Sequence, residues 1–145
     1  MTKQDNAHAV QNARGHAENI LELYSAYQAL EDGAETVKVE GETFTDPDDI
    51  RDRATEQALS VEVRSDWHPP GADLESASMS EYRVLLSTGG PALQLTGDLD
   101  QWCEPQNALL QYQDWFTPWC DYEPEDLEDL DDALLWFAGC FYFGE

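Results

Sequence analysis

A chain of 145 residues is long enough to bury roughly two-thirds of its unfolded surface and to form one domain, 1–145, with its own core. Its 31 Asp+Glu against 7 Lys+Arg give a formal net charge of -24, which excludes direct binding to nucleic acid or to an anionic membrane and points to a strongly basic partner. The 41% hydrophobic content, with 5 Trp, 6 Tyr and 5 Phe, excludes a solvated disordered tail.

Between residues 5 and 31, Ala9 or Val10, Ala13, Ala17, Ile20, Leu23 or Tyr24, Tyr27 and Leu30 recur every three or four positions, and Gly33 follows. That spacing predicts a long amphipathic helix with a glycine stop. Residues 36–45 alternate only briefly, through Val37 and Val39 before Gly41, and read as a short strand or extended connector. In Thr45-Asp46-Pro47-Asp48-Asp49, Asp46 can cap and Pro47 suits the first helical position, so a second helix is predicted to about Ala58.

Leu59, Val61, Val63, Ser65 and Trp67 then alternate with polar residues, the period of a half-buried strand, which His68-Pro69-Pro70-Gly71 ends. Residues 81–88 and 92–99 read as two strands joined through Gly89-Gly90-Pro91, and 108–116 as a fourth. Four successive strands predict an antiparallel meander. After Pro124, the residues Leu127, Leu130, Leu134, Phe137 and Phe141 form the apolar stripe of a terminal helix. The fold class expected is α+β, a four-stranded meander sheet with N-terminal helices and an acidic amphipathic C-terminal helix.

Downstream of Arg83 there is no Lys or Arg, and the segment 121–132 (DYEPEDLEDLDD) carries eight carboxylates in twelve residues: Asp121, Glu123, Glu125, Asp126, Glu128, Asp129, Asp131 and Asp132. On a helical wheel Glu125, Glu128, Asp129 and Asp132 lie opposite the apolar stripe. Six carboxylates between positions 125 and 132 would fall on about 12 Å of helix. That is roughly one charge per 2 Å, against about one per 1.7 Å along duplex DNA. Asp46, Asp48, Asp49 and Asp52 make a second acidic patch, in part explained by capping. An ordinary charge run is a solvated helix face. Such a face normally mixes signs, however, and like pairs such as Glu125 with Asp129 cost about 0.2–0.5 kcal/mol each.

The segments LSVEVRSDW (59–67), LLSTGGPA (85–92), YQDWFTPW (112–119) and FYFG (141–144) resemble a family of small, acidic, uncharacterised proteins from bacterial plasmids, phages and integrated elements. The resemblance covers about the C-terminal two-thirds, and its motifs are structural rather than catalytic. It implies a mobile-element setting, in which small acidic proteins oppose host restriction or CRISPR systems.

Signals for chemistry are sparse. His8, His16 and His68 have no metalloprotease or hydrolase frame, and Ser87-Thr88-Gly89-Gly90 lacks the Gly-Lys-Ser/Thr of a phosphate loop. Asp66-Trp67-His68 could pair a carboxylate with an imidazole but reads more simply as a surface loop. Asp46-Pro47-Asp48-Asp49 lacks the glycine and distal Glu of a calcium loop. Cys103, Cys120 and Cys140 are odd in number and have no paired spacing, as expected of reduced thiols. Asp114, between Tyr112 and Phe116, reads as a loop anchor; the alternative is an acid in a pocket lined by Trp115 and Trp119. The ending Phe141-Tyr142-Phe143 reads as core, or else as a homodimer surface.

These observations predict a cytoplasmic, non-enzymatic inhibitor without metal or cofactor, whose carboxylates occupy the nucleic-acid-binding surface of a restriction enzyme or CRISPR effector. The alternatives are a small structural or regulatory protein with a salt-adapted surface, which would spread its acids over every face, and a small-molecule enzyme using Asp114. A homodimer is compatible with each.

Overall fold

The computed structural model describes residues 3–65, 67–71, 79–88, 91–114 and 118–143. Helix α1 (Lys3–Glu31) buries Ala9, Ala13, Ala17, Ile20, Leu23, Ala26 and Leu30 along one face. Alanines in its first half let the helix sit close to its neighbours. It ends at Gly33 (φ 109°), where Ala34 N–H donates to Ala29 C=O and Gly33 N–H to Leu30 C=O, a glycine-dependent left-handed stop.

Strands β1 (Val37–Val39) and β2 (Glu42–Phe44) form a hairpin in which Val39 faces Glu42. Its two loop residues, Glu40 and Gly41, both take positive φ, 52° and 82°. This backbone matches the twist of a two-residue hairpin, so the ambiguous stretch is a pair of strands. Helix α2 (Pro47–Thr55) is capped by Asp46, which accepts from Asp48 N–H at 3.0 Å, and buries Ile50 and Ala54.

The main sheet contains β3 (Ser60–Ser65), β4 (Met79–Ser87), β5 (Ala92–Asp98), β6 (Leu109–Gln113) and β7 (Cys120–Asp121), adjacent in chain order and all antiparallel. The antiparallel order is the one expected, but the sheet has five strands rather than four, because β7 pairs with β6, and β1–β2 form a separate two-stranded sheet. The β4–β5 register sets Arg83 opposite Thr96 and Ser87 opposite Leu93, as the hairpin reading requires; Gly89 and Gly90 lie outside the described residues.

Tyr82, Val84, Leu86, Leu93, Leu95 and Leu110 belong to one core cluster with residues of all three helices, so the helices cover one sheet face. The opposite face carries Glu62, Arg64, Glu81, Arg83, Gln94, Thr96 and Gln111. Gly97 permits a close approach: a Cβ there would lie 2.2 Å from the Asn107 carbonyl oxygen and 2.8 Å from Tyr82 Cε1.

Helix α3 (Leu130–Gly139) corrects the predicted acidic helix. It begins after, not within, most of the acidic run. Asp129 takes the left-handed conformation (φ 63°, ψ 13°), which interrupts a helix arriving from Glu125, and Pro124 fixes the chain just before. Starting at Leu130 avoids stacking Glu125 on Asp129 and Glu128 on Asp132, while Leu130, Ala133, Leu134, Phe137 and Ala138 remain buried.

Candidate functional site: an acidic loop and helix start

The acidic segment is pinned at intervals by its apolar residues. Tyr122 is buried, and its N–H donates to Leu110 C=O at 2.8 Å, which continues the β6 edge. Leu127 packs against the core and Leu130 enters it. Between and beside these anchors Asp121, Glu123, Glu125, Asp126, Glu128, Asp129, Asp131 and Asp132 are all exposed. Only Asp131 and Asp132 lie in α3, where they face the positive end of the helix dipole. The regular array at helical spacing does not form. An irregular acidic loop takes its place.

Two of these carboxylates have partners that fix the segment. Asp121 accepts from Gln111 Nε2 at 2.9 Å, and Asp126 accepts two bonds from the Arg14 guanidinium of α1 at 3.1 and 2.7 Å. The Arg14 hydrogen bond holds the Asp126 carboxyl below the usual carboxylate range and raises the Arg14 guanidinium in turn. A shallow depression of about 380 Å³ lies within the segment. Tyr122, Pro124, Leu127 and Leu130 supply its apolar lining, and Glu123, Asp129, Asp131 and Asp132 its carboxylates. Such a cup can hold the aliphatic stem and cationic head of an arginine or lysine.

Asp46, Asp48, Asp49 and Asp52 are also exposed, on a different helix. The arginines elsewhere are engaged within the chain. Arg53 pairs with Glu40, Glu42 and Glu56, Arg64 with Glu81 and Arg83 with Glu62, while Arg51 donates to Gly139 C=O. Exposed acids also occur on α1 (Glu18, Glu22), at the β1–β2 hairpin (Glu40, Glu42) and at Glu104.

Asp114 is buried. It does not line the groove of about 570 Å³ on the open sheet face, whose wall includes Trp119 with Arg64, Arg83, Gln94, Thr96 and Gln111. Trp115 and Asp66 lie outside the described residues. Sequence reading missed the relay on that face, where Gln94 Nε2 donates to Gln111 Oε1 and Gln111 Nε2 to Asp121. Gln94 Oε1 is buried with no hydrogen-bond partner among the described residues. Nothing in a run of alternating residues marks two glutamines as cross-strand neighbours before the register is known.

Phe143 is buried and Phe141 packs edge-on against Phe137, whereas Tyr142 is exposed. Among the described residues no cluster of three or more His, Cys, Asp or Glu is arranged to hold a metal ion, and no helix is long and apolar enough to cross a membrane. No family model, curated protein or solved structure matches the chain.

Proposed function

We propose that this chain is a non-enzymatic, cytoplasmic inhibitor that acts as a nucleic-acid mimic, its carboxylates occupying the basic DNA- or RNA-binding surface of a host defence complex such as a restriction enzyme or CRISPR effector. One observation carries the reading: all twelve acids of the two patches are exposed, and of these twelve only Asp126 forms an ion pair with a described residue. The depression between Tyr122 and Asp132 adds a receptor for a basic side chain. Binding of this kind gains speed from long-range attraction and weakens steeply as salt rises.

The spread of exposed acids over α1, the β1–β2 hairpin and the loop at Glu104 favours a second reading, a structural or regulatory protein with a salt-adapted surface. Immobilised protein exposed to a bacterial lysate at low salt, then eluted with a salt gradient, separates the two. The mimic retains a basic nucleic-acid-binding protein that added duplex DNA or RNA displaces. A column that retains nothing, or a partner indifferent to nucleic acid, would sink the mimic reading.

A further inference from the structure

The two edges of the main sheet differ. At one edge β7 is only two residues long. At the other, β3 pairs with β4 from Ser60 opposite Leu85 to Ser65 opposite Met79, and among the described residues nothing pairs with its outer side. Ser60 to Arg64 are all exposed, and the apolar Leu59, Val61 and Val63 are 59%, 40% and 38% accessible. Edge strands are normally blunted by charged side chains (lysine above all), by proline, by a bulge or by a covering element, because a free row of amides and carbonyls templates another strand. β3 contains neither proline nor lysine. Its one irregularity, between Arg64 and Ser65, lies at its far end.

Its side chains are ordered to match themselves. Val61 and Val63 stand on the helix-covered side, opposite Val84 and Tyr82, while Glu62 and Arg64 stand on the open side. Antiparallel pairing of two copies about a two-fold axis at Val63 sets Val63 against Val63 and Val61 against Ser65. It also sets Glu62 against Arg64 twice. Within each chain Arg83 already donates to Glu62 at 2.6 Å and Arg64 to Glu81 at 2.7 Å. Pairing would therefore extend these contacts into two four-residue rows, each running Arg83, Glu62, then Arg64 and Glu81 of the second copy. The same rows result whichever set of alternate amides faces outward, because the register joins residues of equal parity.

We propose that the chain self-associates by antiparallel pairing of β3 with β3 of a second copy, centred on Val63, joining two five-stranded sheets into one. Charge selects this occupant. On a chain of net charge -24, the β3 edge carries two of the seven cationic residues, Arg64 and, on the adjacent strand, Arg83, each balanced by a glutamate. It is a locally neutral strip with an apolar side, and its charge order is complementary to its own reverse.

Salt distinguishes this contact from the proposed mimicry. Two polyanions repel, and the screening length falls from about 10 Å at 0.1 M to about 3 Å at 1 M salt. Self-association should therefore strengthen with salt, whereas capture of a basic partner should weaken, so either idea can fail alone. Sedimentation equilibrium of the full chain at both salt concentrations should show a monomer–dimer equilibrium shifted to dimer at 1 M. Arg64→Glu and Glu62→Arg should each weaken it by about tenfold or more, since each sets like charges opposite one another twice. An equimolar mixture of the two variants should recover the native association, because each supplies the charges that the other lacks. Circular dichroism and thermal melts check that both variants fold. A chain that stays monomeric at millimolar concentration, a dimer indifferent to both substitutions, or a mixture that fails to recover would overturn the proposal; indifference would redirect attention to the surface at Tyr142.

Discussion

Arg14 of the first helix grips Asp126 of the acidic segment through two parallel hydrogen bonds across 112 positions of sequence, while its Nε lies 3.4 Å from Glu18. The pair is exposed, so solvent and salt screen it and its contribution to stability is small. Its role is orientation. With Tyr122 buried and Leu127 packed against the core, and with Arg14 holding Asp126, the acidic run follows one course beside α1. A bidentate arginine fixes direction as well as distance, which a lysine there would not.

Arg14→Gln tests that grip. The Asp126 carboxyl, lowered chiefly by the Arg14 hydrogen bond, should return toward the ordinary 3.8, read by carboxyl NMR titration. Because the folded value lies below the unfolded one, the pair stabilises the fold above 3.8, and that contribution is lost as pH falls through the folded value. Native and variant melting temperatures should therefore differ slightly near neutrality and converge in acid. An unaltered Asp126 titration in the variant would mean that the pair is not formed.

Gly97→Ala should be among the most disruptive small substitutions. The new methyl would lie 2.2 Å from Asn107 O and 2.7 Å from Asn107 Oδ1. Asn107 is fixed there: its carbonyl accepts from Tyr82 Oη at 2.7 Å and its Oδ1 from the Asp98 N–H at 2.9 Å. Neither oxygen can retreat without giving up a bond, so the loss should reach the upper end of about 1–3 kcal/mol. Urea denaturation measures it; a midpoint equal to that of the native protein would mean that the loop relaxes freely.

The parts of the fold that the sequence made legible are those governed by periodicity. Val61 and Val63, Tyr82, Val84 and Leu86, and Leu93 and Leu95 alternate, so the central strands and their helix-facing sides followed directly. β7 was not legible, because Cys120 and Asp121 form no pattern and their pairing depends on Tyr112 and Gln111. The β1–β2 turn was hidden because Glu40 occupies a left-handed position that glycine or asparagine usually marks. Helix α3 is shorter than its apolar stripe suggests, because the stripe continues back through Leu127, which is anchored from a loop. At the candidate site the sequence supplied which acids are exposed, but the cation gripping them lies on α1 and could not be read from the run itself.

Cys140 carries a prediction at alkaline pH. Its thiol is pushed up to about 11 by burial and lies 3.4 Å from the Trp136 carbonyl oxygen. At neutral pH its thiolate population should be about a hundredfold below that of an ordinary cysteine, so alkylation of the folded chain should spare it and reach it only on unfolding. The folded value exceeds the unfolded one, so the neutral thiol stabilises the fold below pH 9 and that contribution disappears as pH rises toward 11. Cys140→Ala should therefore reduce the steepness with which the melting temperature falls across that window. Rapid iodoacetamide modification of Cys140 at pH 7, with mass spectrometry locating the adduct, would show the site to be open.

The last prediction concerns the acids themselves. Glu125, Glu128, Asp129 and Asp132 are exposed and make no ion pair among the described residues, so replacing them with Gln or Asn should leave the fold intact. Asn is well suited to position 129, since it tolerates the left-handed conformation that Asp129 adopts. Four fewer negative charges on a chain of -24 should leave the low-salt melting temperature unchanged or slightly raised. Binding should suffer instead. If these carboxylates stand where phosphates would lie, the variant should lose affinity for the lysate-derived partner, and the remaining affinity should depend less steeply on salt, because fewer charges are matched. The salt-adapted reading requires the reverse: an unaffected partner and altered stability in concentrated salt. The native protein should also give no saturable shift with duplex DNA or RNA at physiological salt, since both are polyanions. A quadruple variant that binds every captured partner as well as the native chain would identify the segment as a solvated loop and remove the basis for the mimic.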